Sequence, residues 1–160
     1  MAQHFINGQW VAASSGQTLP VIDPSTGEVF DTLARGDATD IDKAVAAARA
    51  ALSGPWSQLT ATDRGRILMK MSALMLERVD ALAQLESRDT GKPISQARND
   101  IIVAARYCEF YGGAADKIHG QQIPYLNDFH VVVLREPYGV TAHILPWNYP
   151  LVDVAMKVAP

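Results

Sequence analysis

The sequence has a single cysteine, Cys108, so an internal disulfide framework is excluded. It also lacks an excess of basic residues, since 14 Lys and Arg stand against 17 Asp and Glu. We therefore expect neither a nucleic acid nor an anionic membrane as a partner. No apolar run is long enough to span a bilayer, and the first residues resemble neither a signal peptide nor a transit peptide. These absences predict a cytoplasmic protein.

The composition is that of an ordinary globular protein. Hydrophobic residues make up 48% of the chain and charged residues 19%. A length of 160 residues permits one domain of usual size, and no internal repeat or low-complexity stretch interrupts it. Length and composition therefore permit a globular chain.

The first third of the chain combines strands with a helix. Asn7-Gly8 lies between two short apolar runs and predicts a β-hairpin. Residues 21–33 predict further strand, interrupted by a Pro-Ser-Thr-Gly turn. Thr39 and Asp42 then predict a start for the first helix that is similar to a capping box, and Gly54-Pro55 predicts its end.

Helical periodicity dominates the middle of the chain. A second, longer periodic run occupies residues 67–82, in a segment that Gly91-Lys92-Pro93 closes. Residues 94–115 predict a third helix, which we expect Gly112 and Gly113 to end. Cys108 shares a face of this helix with apolar residues, and no thiolate-stabilising neighbour is evident. We interpret it as a small core residue rather than a nucleophile.

The most informative segment occupies residues 134–150. Residues 140–145 read Val-Thr-Ala-His-Ile-Leu, and this apolar, β-branched run predicts a buried strand. Pro146 cannot donate to a β-ladder, whereas Pro150 suits the first turn of a helix. Apolar residues at helical spacing follow at residues 151–158. The sequence therefore predicts a strand, a tight loop and a helix in succession.

Asn148 is the uncharged amide of that loop. In open α/β sheets, ligands bind beyond the carboxyl ends of the strands, where such loops lie. An amide offers two donors and an acceptor without a titrating proton, and it can stabilise negative charge that develops on a carbonyl oxygen. The alternative is that Asn148 only stabilises the turn, as many loop amides do.

A known family shares this loop. Pro-Trp-Asn-Tyr-Pro at residues 146–150 resembles the Pro-Trp-Asn-Phe/Tyr-Pro signature of the NAD(P)-dependent aldehyde dehydrogenases. Five shorter pieces also resemble the family and occur in the family's order: Phe5-Ile-Asn-Gly-Gln-Trp10, Asp23-Pro-Ser-Thr-Gly-Glu28, Asp89-Thr-Gly-Lys-Pro93, Ala115-Asp-Lys-Ile-His-Gly120 and Arg135-Glu-Pro-Tyr-Gly139. The resemblance covers essentially the whole chain and identifies it as similar to the N-terminal portion of the family.

The resemblance implies an α/β fold of the aldehyde dehydrogenase type. Residues 1–120 would form the N-terminal hairpin, strands and helices of the cofactor-domain region. Residues 121–137 would form bridging β-strands used in oligomerisation, and residues 138–160 the first βα unit of the Rossmann-like cofactor domain, here truncated. Because family members are much longer, we expect the chain to be a portion of a longer protein.

The resemblance also implies a covalent mechanism. In the family a cysteine thiolate attacks the aldehyde carbon, an asparagine at the position of Asn148 holds the resulting oxyanion with a backbone N–H, and NAD or NADP accepts the hydride. The nucleophilic cysteine and the general-base glutamate would lie outside this chain. We expect the 160 residues alone to be inactive.

No Gly-x-Gly-x-x-Gly fingerprint follows the predicted strand, which departs from the ordinary dinucleotide-binding rule but not from this family. By resemblance, the cofactor site has one wall built from Ile144, Leu145, Pro146 and Trp147. For Trp147 the alternative is simple packing, since a large aromatic side chain is usually part of a core. No metal site is predicted.

The resemblance places a substrate tunnel on the last two predicted helices. Its residues would be Asn99, Val103, Tyr149, Val152, Asp153 and Met156. Asp153 stands where the family often has methionine, and Met156 where tryptophan is frequent. A carboxylate in an apolar tunnel needs a partner, so we hypothesise a polar aldehyde that bears an amino group. The alternative is that Asp153 lies on a solvated helix face.

Residues 129–134 predict an apolar strand at the edge of a domain, and such an edge invites pairing with another chain. By resemblance we expect a homo-oligomer, a dimer or a tetramer, although an internal strand is the simpler alternative. A different function also stays open. The chain would then be a truncated, non-catalytic relative that acts as an oligomerising or partner-binding module.

Overall fold

A computed structural model describes all of residues 1–160. Eleven elements follow one another along the chain: β1 (His4–Ile6), β2 (Gln9–Val11), β3 (Thr18–Ile22), β4 (Val29–Ala34), α1 (Ala38–Ala51), α2 (Ala61–Glu77), α3 (Val79–Thr90), α4 (Ile94–Ala114), β5 (Gln121–Ile123), β6 (Val131–Val133) and α5 (Pro150–Val158). Short 3₁₀ turns lie at Pro55–Gln58 and Ala115–Lys117. None of the helices has both the length and the apolar character needed to cross a bilayer.

The strands form three antiparallel pairs, β1 with β2, β3 with β4, and β5 with β6. The predicted hairpin at Asn7-Gly8 is confirmed: both residues have positive φ, 53° and 74°, as a two-residue turn of type I′ requires. The predicted strands around the Pro-Ser-Thr-Gly turn are β3 and β4. The predicted strand at residues 129–134 is shorter, as β6, and it pairs with β5.

The core lies around α4, which packs against α2, α3 and α5. Its fully buried residues are mostly small, which lets the helices approach closely: Ala97, Ala104, Ala105 and Cys108 on α4, and Ala155 on α5. Burial raises the pKa of the Cys108 thiol, which favours its neutral form. The interpretation of Cys108 as a core residue is confirmed.

The closest helix crossing joins α2 and α4 at two glycines. A Cβ atom on Gly65 would collide with the carbonyl oxygen of Gly112, and one on Gly112 would lie 2.9 Å from the carbonyl oxygen of Gly65. The prediction that Gly112 and Gly113 end the helix is therefore wrong. α4 continues to Ala114, and Gly112 is needed because two backbones touch there.

Two further helix predictions need correction. The long periodic run is divided into α2 and α3, because Arg78 leaves the helical region with φ −111° and ψ 18°. The cap of α1 is also shifted: Asp37, not Thr39, accepts hydrogen bonds from the N–H groups of Thr39 and Asp40. The Asp37 N–H in turn donates to the Asp40 carboxylate at 3.2 Å, which completes a capping box.

The predicted strand at residues 140–145 is wrong for this chain, since the segment joins no β-ladder. A strand needs a hydrogen-bonded neighbour, and none of the six strands present pairs with this segment. The helix after it is confirmed: α5 begins with Pro150 in its first turn. Residues 138–160 thus contain the loop and helix of the predicted βα unit without a sheet.

The Gly65–Gly112 crossing yields a prediction with a matched control. Gly65→Ala should lower the free energy of unfolding by about 1–3 kcal/mol, because the added methyl group must push two helices apart. Gly113→Ala introduces a methyl group with nothing within 4 Å and should stabilise by about 0.5–1 kcal/mol through helix propensity. Urea denaturation measures both. Equal effects of the two substitutions would contradict the close crossing.

Candidate active site

A cleft of about 250 Å³ lies where the loop before α5 meets the turn between α3 and α4. Its lining comes from these two segments and the first turn of α4: Thr90, Gly91, Lys92, Gln96, Trp147, Asn148 and Tyr149. The turn begins at Gly91, whose φ of 75° ends α3 in the left-handed region. The cleft therefore joins two sequence motifs that lie more than fifty residues apart.

Asn148 is exposed at the rim of this cleft. The side-chain hydrogen bonds around it involve Tyr149, Thr141 and His143, and none involves Asn148 itself. Its amide does not stabilise the turn by a hydrogen bond, contrary to the simpler alternative. Both N–H donors of Asn148 are free to bind a ligand oxygen.

The start of α5 adds further donors beside Asn148. Tyr149 is the N-cap residue, but its side chain makes no capping hydrogen bond, so N–H groups of the first turn have no side-chain partner. Its carbonyl oxygen accepts the Asp153 N–H at 2.9 Å, which closes the first turn. A helix N-terminus favours negative charge through its backbone dipoles. The loop amide and the helix start therefore both suit an oxyanion.

Lys92 lies on the opposite side of the cleft within a nearly buried ion cluster. Its ammonium lies 2.7 Å from Glu86 Oε1 on α3 and 2.7 Å from Asp100 Oδ2 on α4. The three side chains are only 9%, 4% and 9% exposed. Burial alone lowers the pKa of Lys92, but the hydrogen bonds to Asp100 and Glu86 outweigh it, so the pKa is raised and the charge is kept.

This cluster is not predicted from the sequence, in which Lys92 belongs to a turn that ends a helix. Glu86 and Asp100 stand six residues before and eight residues after Lys92, which matches no helical spacing. Lysine side chains are rarely buried, so the burial of Lys92 is evident only in the folded structure. The only feature of the sequence that could have indicated the cluster is Thr-Gly-Lys-Pro, which is part of the family resemblance.

Lys92 also contacts the loop that carries Asn148. Its ammonium nitrogen lies 4.4 Å from the centre of the Tyr149 ring, within the range of a cation–π interaction. The Gln96 amide donates to the Tyr149 hydroxyl at 3.5 Å, a long hydrogen bond. Tyr149 is thus held through both its ring face and its hydroxyl.

The proposed cofactor wall is an exposed apolar strip. Ile144 is fully exposed, Trp147 is 79% exposed, and Leu145 is half-buried. Pro146 joins them to the cleft. The packing alternative for Trp147 is therefore wrong in this chain. This apolar strip leads directly to the free amide of Asn148.

The six residues of the predicted tunnel lie in different environments. Tyr149 lines the cleft, whereas Val152 packs against the core beside α4. The other four do not line the cleft: Asn99, Val103, Asp153 and Met156. One carboxylate oxygen of Asp153, Oδ2, is buried and has no hydrogen-bond partner. Asp153 is therefore not a freely solvated side chain, contrary to the simpler alternative.

The fold and the cleft define part of an α/β ligand-binding protein in which a loop amide and a helix start face one site. A family model described as "Aldehyde dehydrogenase family" matches residues 10–160. The chain therefore belongs to the aldehyde dehydrogenase family. The predicted fold class, with an N-terminal portion of that fold, is confirmed as well.

Individual relatives agree with the family. The chain is 46% identical over 160 residues to "Aldehyde dehydrogenase family 2 member B4, mitochondrial" of Arabidopsis thaliana, covering 99% of this chain and 30% of the relative. A crystal structure of a candidate aldehyde dehydrogenase from Burkholderia cenocepacia is 52% identical, with a TM-score of 0.96, covering 99% of this chain and 33% of that chain.

PnpE of Pseudomonas sp. WBC-3, solved in complex with nicotinamide adenine dinucleotide, is 42% identical with a TM-score of 0.94. The match covers 99% of this chain and 32% of the PnpE chain. The chain thus spans about 30% of the length of the curated relatives that it matches. The family's catalytic cysteine and glutamate have no counterpart in it.

Proposed function

We propose that the protein to which this chain contributes oxidises an aldehyde to a carboxylic acid, with NAD or NADP as the hydride acceptor. The observation that carries the proposal is the free amide of Asn148, which stands beside an uncapped helix start in a cleft. Because the chain belongs to the aldehyde dehydrogenase family, we expect this amide to act on an aldehyde. These 160 residues alone would be inactive, because their only cysteine is buried in the core.

Asn148 acts on the carbonyl oxygen of the substrate. As a thiolate from outside these residues forms a bond to the aldehyde carbon, the π electrons of the carbonyl move onto its oxygen. The Asn148 N–H then donates to this oxyanion, and a backbone N–H supplies the second hydrogen bond. Donors that are oriented before the reaction need little reorganisation when the charge develops.

The apolar strip at residues 144–147 would hold the cofactor next to this site. Ile144 and Trp147 offer exposed apolar surface, and Leu145 and Pro146 connect them to Asn148. When bound, NAD or NADP supplies the acceptor for the hydride that leaves the substrate carbon.

The substrate we propose is a polar aldehyde that carries an amino group. Asp153 Oδ2 is removed from solvent without a hydrogen-bond donor, and a buried, unpaired carboxylate oxygen is costly. A cationic amine would supply both charge and donors. Asp153 lies on α5, one turn after Tyr149 and outside the lining of the cleft, so the amine would bind beside the cleft rather than within it.

A second proposal concerns assembly. β6 pairs with β5 along one edge only, and its apolar side chains remain exposed, Val132 at 59% and the adjoining Leu134 at 75%. An unpaired apolar edge is suited to pairing with another chain. We infer a homo-oligomer joined through residues 121–137. This surface would also serve a non-catalytic module, and aldehyde turnover distinguishes the two functions.

Replacing the loop amide tests the proposed function. In the complete protein, Asn148→Ala should lower kcat by about a hundredfold to a thousandfold, because one oxyanion donor is lost. The affinity for NAD should hardly change. The matched control is Gln84→Ala, which removes an exposed amide from α3. Unimpaired turnover of the Asn148→Ala protein in an NAD reduction assay would remove this residue from the mechanism.

The substrate proposal is tested by a pair of aldehydes of equal length, one with a terminal amine and one with a methyl group. We expect kcat/KM to favour the amine, and Asp153→Asn to reduce that preference by about tenfold to a hundredfold, as loss of a charged hydrogen bond does. A preference for the methyl aldehyde in the parent protein would refute the assignment of Asp153. Asp42→Asn, at an exposed position on α1, is the control.

The assembly proposal predicts that Val132→Lys reduces the number of subunits, because a charge on the edge of β6 opposes strand pairing. Sedimentation velocity measures the change. The control is Val29→Lys, since Val29 lies in β4 and is 58% exposed, close to the value for Val132. An unchanged oligomer in the Val132→Lys protein would place the subunit contact elsewhere.

A further inference from the structure

We propose that Lys92 is a positioning residue that fixes the loop of Asn148 by holding the Tyr149 ring against a buried pair of carboxylates. The inference rests on the proposed function of the cleft. The turn between α3 and α4 would then affect the reaction without touching the reacting atoms.

The hydrogen-bonding capacity of Lys92 argues against a direct catalytic role. An ammonium group has three N–H donors. Two of them are directed to Glu86 and Asp100, each at 2.7 Å, and the remaining side of the nitrogen faces the Tyr149 ring. No donor is left for a substrate oxygen. Lys92 lines the cleft but can act only through the residue that it contacts.

The two carboxylates give Lys92 a fixed location. Glu86 belongs to α3 and Asp100 to α4, and both helices pack together in the core. The Lys92 side chain is therefore held between two rigid elements rather than free on its long aliphatic stem. A cation that is fixed and nearly dry interacts with an aromatic ring more strongly than an exposed one does.

Tyr149 transmits this constraint to Asn148. It is the N-cap of α5, its ring lies over Lys92, and its hydroxyl accepts the hydrogen bond from Gln96. Asn148 adjoins Tyr149 by one peptide bond and makes no side-chain hydrogen bond of its own. The contact that Lys92 makes with Tyr149 is thus one of the restraints on the residue next to the oxyanion donor, together with the Gln96 hydrogen bond and the Asp153 N–H that donates to the Tyr149 carbonyl.

The test is a double-mutant cycle in the complete protein. The first change is the neutral triple variant Glu86→Gln, Lys92→Met and Asp100→Asn, which removes the cation without leaving a buried charge unpaired. The second is Asn148→Ala. In the protein that retains Asn148, the triple variant should lower kcat by about tenfold to a hundredfold, because the Asn148 amide is displaced and small misplacements of a catalytic group have effects of that size. The dissociation constant for NAD should stay the same.

In the Asn148→Ala background the triple variant should lower kcat less than twofold, because the donor that Lys92 positions is already gone. Equal factors in the two backgrounds, or no effect in the parent, would overturn the inference, since a merely structural role lowers both rates alike. A parent protein without aldehyde turnover would instead refute the proposed function and this inference together.

Two further variants keep the test decisive if the triple variant folds poorly. Tyr149→Leu removes the ring but leaves the ion cluster intact, and the same cycle with Asn148→Ala applies to it. The double substitution Asp80→Asn and Arg98→Met is the control, because it neutralises an exposed ion pair that also joins α3 to α4, at 3.0 Å. We expect the control to retain the kcat of the parent.

Discussion

The close packing of α4 against its neighbours is the constraint on which the other features depend. Small residues on α4 and α5 allow these helices to approach, and Gly65 and Gly112 bring α2 to backbone contact with α4. Because α5 is fixed on α4, its first turn and the loop before it are also fixed. The position of Asn148 thus depends on the apolar packing of α5 as well as on the contact of Lys92 with Tyr149.

The sequence predicts those parts of the fold that depend on local chemistry. Asn-Gly demands the hairpin turn that is found, and Pro150 begins α5 as its fixed φ requires. The strand at residues 140–145 depends on a neighbour that this chain does not supply, and periodicity carries no information about neighbours. The role of Gly112 could not be predicted for the same reason, since a close crossing depends on two helices at once.

The candidate site likewise has one part that the sequence predicts and one part that it does not. The loop amide and the apolar strip follow from a contiguous motif, so the sequence locates them. The ion cluster of Lys92 does not, because its members come from a helix, a turn and a second helix. Buried charge has no periodic pattern, and it is recognised only when burial and partner distances are known. The same holds for the unpaired oxygen of Asp153.

The two prolines at either end of the Asn148 loop have a consequence for conformational entropy. Pro146 and Pro150 each restrict φ in the unfolded chain as well as in the folded one, and each such restriction stabilises a compatible fold by about 0.4–1 kcal/mol. Between them only Trp147 and Asn148 retain full backbone freedom before folding, because Tyr149 precedes a proline and is restricted as well. The segment that carries the oxyanion donor therefore has few accessible conformations even before its tertiary contacts form.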